Sequence, residues 1–196
     1  MKKLIFGSAA VAAMALAAPA QAAVISFDDL GGSNGDVFTG PYMEDGFTVD
    51  TAGGDVFEGH IFGNPAPSLV VGSVFGGGSF GVVRVVGGIF NFNSFDFVSQ
   101  GAAGDYQVNG FLGGNSVFSL NGSLSPSGFT TIAGVGGNID ELDFILTANG
   151  TSVNLDNIDV STAVPEPATW AFMILGFGAI GGALRRRKAN VKVSYA

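Results

Sequence analysis

Residues 140–160 read DELDFILTANGTSVNLDNIDV, and the fold turns on how this stretch is read. Leu142, Phe144 and Leu146 recur at every second position, so they face one way on a strand. Asn149-Gly150 is the strongest kind of short hairpin signal. Residues 140–147 and 152–160 are therefore expected to be the arms of a last hairpin. In the second arm Val153 and Leu155 share one parity, while Ile158 and Val160 share the other. Side chains alternate strictly along a strand, so the switch at Asp156-Asn157 requires a bulge.

The same period-2 patterning runs outward from this stretch. Residues 80–86 and 88–92 alternate as strands; Phe90 and Phe92 share a face, and Phe95 and Phe97 have the opposite parity. A bulge or tight turn is expected at Asn93-Ser94. Residues 24–27 open as a strand that runs into Asp28-Asp29, and residues 46–50 alternate as another. The segment GDVFTG at 35–40 is echoed by GDVFEG at 54–59, which reads as two similar turns. Residues 63–78, around Pro65 and Pro67, read as loop. Residues 105–111 and 116–120 flank the turn signals Asn109-Gly110 and Asn121-Gly122. About ten short strands with regular punctuation predict an all-β body, a jelly-roll-like two-sheet β-sandwich.

Charge and composition narrow the function. The formal net charge is −8, yet seven of the eight Lys and Arg residues lie near the two chain ends. Between residues 23 and 162, Arg84 stands alone against fifteen carboxylates, a net −14. A phosphate backbone is bound by clustered bases, so nucleic acid is excluded as a partner. There is no cysteine to staple the fold; fifteen of the 18 phenylalanines are available for a core. Catalysis has little to draw on. His60 is the one histidine, in a turn-like Glu58-Gly59-His60, with no nucleophile at a known spacing. Arg84, within Val82–Val86, is expected in a half-buried ion pair.

Both ends are addresses. Lys2 and Lys3, an apolar stretch from 4 to 18, and Ala20-Gln21-Ala22 form a secretory signal helix, cleaved by signal peptidase after residue 22. Near the other end, residues 164–188 read VPEPATWAFMILGFGAIGGALRRRK. The apolar run 168–184 has 17 residues, the low end of what spans a bilayer at about 1.5 Å per residue. Arg185, Arg186, Arg187 and Lys188 hold its end in the cytoplasm, and Trp170 suits the opposite interface. Gly176, Gly178 and Gly181 match a dinucleotide fingerprint by letters alone, without the strand and βαβ unit that it needs.

This tail resembles the sorting tail of the PEP-CTERM family of exported bacterial proteins. The resemblance implies a transmembrane sorting helix held briefly in the inner membrane, then cut by an exosortase-like protease that recognises Pro165, Glu166 and Pro167. The expected organisation is signal peptide 1–22, β-sandwich 23–162, sorting and transmembrane segment 163–188, and a short tail 189–196. The family occurs in Gram-negative bacteria that make extracellular polysaccharide. That association implies a non-catalytic surface or matrix protein of the exopolysaccharide or biofilm, not an enzyme.

The body also resembles extracellular jelly-roll modules of the carbohydrate-binding type. In those, calcium often sits between an acidic first strand and an Asp-Asn-bearing last strand. The matching positions here are Asp28, Asp29, Asp156 and Asn157. A calcium-dependent carbohydrate-binding module is therefore the competing class, and a glycoside-hydrolase-like enzyme is a distant third. The case for sugar stacking is thin, since the body has no Trp and only Tyr42 and Tyr106.

Overall fold

The structure, a computed structural model, describes residues 22–162, 172 and 174–182. Residues 22–162 form one compact unit. Residues 174–182 are helical. Among the described residues no helix is long and apolar enough to cross a membrane. Pro165, Glu166, Pro167, Trp170, Arg185, Arg186, Arg187 and Lys188 lie outside the described residues, as does the signal peptide up to Gln21.

Eleven antiparallel strands make up the body: β1 (Ala22–Ile25), β2 (Tyr42–Glu44), β3 (Phe47–Gly54), β4 (Phe57–Gly59), β5 (Ser68–Gly72), β6 (Phe80–Gln100), β7 (Gly104–Leu112), β8 (Asn115–Leu124), β9 (Thr130–Ala133), β10 (Ile139–Ala148) and β11 (Ser152–Thr162). The all-β sandwich expected from the patterning is what forms. Strand β6 organises it. Its first half pairs with β3 and β10, its second half with β9 and β11. One layer thus runs β2-β3-β6-β10-β7-β8, and the other β4-β5-β11-β6-β9, with β1 also on β11.

Strand β6 has 21 residues, several times the usual five or six. It changes parity twice. Val83 and Val85 point inward, then Phe90 and Phe92, then Phe95 and Phe97. The first change falls at Gly87-Gly88, where four steps of β6 oppose two of β10. The second falls at Asn93, as the ring parity requires. Rings then close the core between the layers. Phe95 packs against Phe92, Phe97, Tyr106 and Phe144 at centroid distances of 5.2–6.3 Å. Tyr106 and Phe144 belong to the first layer and Phe95 to the second, so this is face-to-face packing.

Four expectations are corrected. The strands β10 and β11 are not a hairpin; they lie in different layers, and Asn149-Gly150 is the link between them. Its polar groups bond the neighbouring link from β6 to β7: Asn149 N–H donates to the Ala103 carbonyl (3.3 Å), and Thr151 N–H to that of Gln100 (3.2 Å). Both edges of Leu142–Leu146 and of Val153–Leu155 already have ladder partners elsewhere, and those ladders outweigh the local turn. Asn109-Gly110 and Asn121-Gly122 lie mid-strand, because Gly113 and Gly114, both at positive φ, make the turn. Gly110 faces Phe118 across the ladder and Gly122 faces Tyr106; a Cβ at either glycine would strike the ring. Aromatic cover of a strand glycine stabilises such pairs. Residues 68–72, read as loop, form β5, buried at every position between β4 and β11. The GDVF copies are not two like turns; they pair with each other, Val37 bridging Phe57.

The core spans residues 23–160 and lies wholly within one unit. Phe95→Ala is expected to destabilise the body by about 3–5 kcal/mol. An equilibrium urea titration reads this as a fall in midpoint; an unchanged midpoint would place Phe95 outside the core.

Candidate functional site

The bulge expected at Asp156-Asn157 is present, and its surroundings are built by short strands. Strands β5 and β1 share one edge of β11, covering residues 152–155 and 158–161 respectively. Asp156 and Asn157 fall in the gap between them. Asn157 adopts φ 45°, a left-handed conformation that Asn tolerates better than most residues. The gap is filled by Asn64, whose N–H donates to Asp156 Oδ2 at 2.6 Å. Asn157 N–H donates to Asp156 Oδ1 at 2.8 Å. On the adjacent β6, Asp96 Oδ2 accepts from the side-chain amides of Asn64 and Asn157, both at 3.0 Å. Thr131 Oγ1 donates to Asp96 Oδ1 at 2.6 Å.

Asp156 is fully buried and Asp96 nearly so. Burial pushes the Asp156 carboxyl up to about 7; the two backbone N–H donors pull it back, and the charges of Asp96 and Asp28 push it further up. The positions expected to hold calcium are thus only partly gathered. Asp28 reaches Asp156 electrostatically, whereas Asp29 lies by Tyr42 and donates its backbone N–H there. Asn157 turns its amide N–H groups to Asp96 and to the Asn64 carbonyl, the latter at 2.5 Å. Among the described residues no three His, Cys, Asp or Glu side chains group as metal ligands. Asp96 and Asn64 were missed in the sequence. Asp96 had a signal, since it stands between two inward rings and must face the opposite way.

A second feature lies on the outer face of the first layer. Cross-strand rows Asn121–Gln107–Ile145 and Ser123–Asp105–Thr147 run over β8, β7 and β10. With Tyr106 and Gly122 they line an open groove of about 470 Å³. Hydrogen bonds from Ser123 and Asn149 hold the Asp105 carboxyl below its ordinary range, so it is an ionised acceptor. Gln107 Nε2 donates to Asn109 Oδ1 at 3.1 Å and weakly to Ser119 at 3.4 Å. Sequence reading gave no hint of this groove, because its rows are brought together by register.

The remaining singled-out residues take structural places. Arg84 grips Asp143 with two hydrogen bonds of 2.7 Å and reaches Glu141 at 3.2 Å, the half-buried pair its strand position implied. His60 Nε2 lies 2.8 Å from Glu58 Oε2. Burial and the Glu44 carboxylate raise the Tyr42 phenol above its usual range. Glu44 also accepts from the Ser26 and Phe27 N–H groups, which holds the left-handed Phe27 (φ 61°) in place.

These features define a β-sandwich module with an open polar face. Residues 163–188 match the PEP-CTERM protein-sorting motif. The chain carries that motif, which marks an exported protein sorted to the cell surface. No curated protein matches it in sequence. Among solved structures it is similar to the K3 adhesin domain of Lys-gingipain from Porphyromonas gingivalis, with 12% identity over 74% of this chain and 99% of that one, TM-score 0.50. A family 29 carbohydrate-binding module matches at 18% identity over 74% and 91%, TM-score 0.43. A variant of such a module complexed with mannohexaose matches at 18% over 74% and 94%, also TM-score 0.43. At these identities the likeness is one of fold.

Because Asp156 titrates near 7 when folded and near 4 when unfolded, the folded state holds the extra proton between those values. Its contribution to stability is present at low pH and is lost as pH rises through that window, by up to about 1.4 kcal/mol per pH unit. Asp156→Asn is expected to flatten this part of the stability profile, measured by urea titration across the window. An identical slope in both proteins would remove Asp156 as the titrating group.

Proposed function

We propose that this exported protein is a non-catalytic component of the extracellular polysaccharide matrix, and that it contacts the polymer through the groove over β7, β8 and β10. The observation that carries this reading is the groove's chemistry. Amides from Gln107 and Asn121, hydroxyls from Ser123 and Thr147, and an ionised Asp105 offer both donors and acceptors to sugar hydroxyls. The face is open at the side, as a polymer needs. The body's net −14 repels polyanions, which favours a neutral glycan. The sorting motif supports delivery to the surface, where such polymers lie.

Co-sedimentation with the producer's own polysaccharide, fractionated into neutral and acidic pools, tests the reading. Saturable binding to the neutral pool is expected. Gln107→Ala with Asn121→Ala should weaken it about ten- to thirtyfold, at about one hydrogen bond each, with melting unchanged. Absence of saturable binding to either pool would leave the matrix role without a polymer contact.

Calcium at Asp156 is the second reading. It is favoured by one observation: the charges of Asp96 and Asp28 both act on Asp156, while the body's only Arg or Lys is paired with Asp143. Calcium takes six to eight oxygens, so it would draw on the Asp96 and Asp156 carboxylates and nearby carbonyls, in place of N–H donors that now occupy them. Above pH 7, calcium is expected to raise the melting temperature, and Asp156→Asn to abolish the rise. Equal melting in calcium and chelator would end this reading.

A further inference from the structure

We infer that the processed protein pairs with a second copy of itself through the free edge of β8, forming a two-fold dimer with one sheet continuous across both molecules. Among the described residues β8 pairs with β7 alone, so the backbone groups along its other edge have no ladder partner. Such an edge is a template for another strand. The other terminal strands are short: β2 and β4 have three residues each and β9 four. Strands β2 and β4 also carry Glu44 and Glu58, and charge on an edge blocks pairing. Strand β8 has ten residues, NSVFSLNGSL, with neither charge nor proline.

The occupant follows from charge and self-complementarity. On a body of net −14, a ten-residue edge free of carboxylates is the one long line along which two copies approach without opposing charges on the paired strands. Antiparallel pairing of β8 with itself about Ser119 sets Phe118 of one copy against Leu120 of the other, and Ser119 against Ser119. The interface is the same patch on both copies, so it closes at two rather than growing into a fibre. It joins the two β8 strands and so sets the two grooves side by side.

Sedimentation velocity of residues 23–162, which contain the whole core, over a concentration series tests this. A monomer–dimer equilibrium is expected, with no larger species, strengthening as salt screens the net charge. Ser119 is exposed, and Ser119→Lys sets like charges across the axis without touching the core, so it should abolish the dimer. Ser119→Glu alone should do the same, and an equimolar mixture of the two should restore a dimer. Monomers at every concentration and salt, or a dimer unaffected by Ser119→Lys, would overturn the inference.

Discussion

Strand β6, 21 residues long, takes ladder partners on both edges in each half, and it must serve two layers whose inner faces oppose each other. A straight, regular strand cannot do this, because its side chains alternate without interruption. Two parity changes, at Gly87-Gly88 and at Asn93, let the chain leave one layer, turn over and re-enter the core in the other. Strands β3 and β10 pair with its first half and β9 and β11 with its second, and the remaining strands build outward from these. The rings at Phe90, Phe92, Phe95 and Phe97 then fill the space that the turn-over creates.

The bulge in β11 answers the one in β6 and has a chemical consequence. Where β5 stops and β1 has not begun, the edge of β11 would be left with unpaired backbone groups beside two buried carboxylates. Asn64, Asn157 and Thr131 supply the missing donors, and no buried side-chain N or O among the described residues lacks a partner. These donors are neutral, so Asp156 keeps the penalty of burial and its carboxyl stays high. A bulge written in the sequence thus becomes a titrating site only because of what folds over it.

The two layers are used differently. In the second, Asn154, Asp156 and Asp96 face outward yet are buried, under chain that includes Asn64 and Ser68. In the first, the outer rows over β7, β8 and β10 stay open, polar and concave. The open face thus presents its polar groups at the surface, whereas the second layer buries its own. The free edge of β8 borders that face.

By itself the sequence determined what depends on local pattern. Period-2 alternation named the long strands, reversed parity located the bulges at Asn93 and Asp156-Asn157, and contiguous letters spelled the sorting motif. It also held the charge of the body, a net −14. The tertiary structure alone decided the rest. Asn149-Gly150 favours a hairpin locally, but the core ladders of β10 and β11 place it between layers. Asn109-Gly110 and Asn121-Gly122 became strand because Phe118 and Tyr106 cover their glycines from across the ladder. Asn64 and Asp96 joined Asp156, and β10 joined the β7–β8 hairpin to complete the groove, through pairings of residues tens of positions apart. Those partners are chosen by burial and register, which a local pattern does not contain.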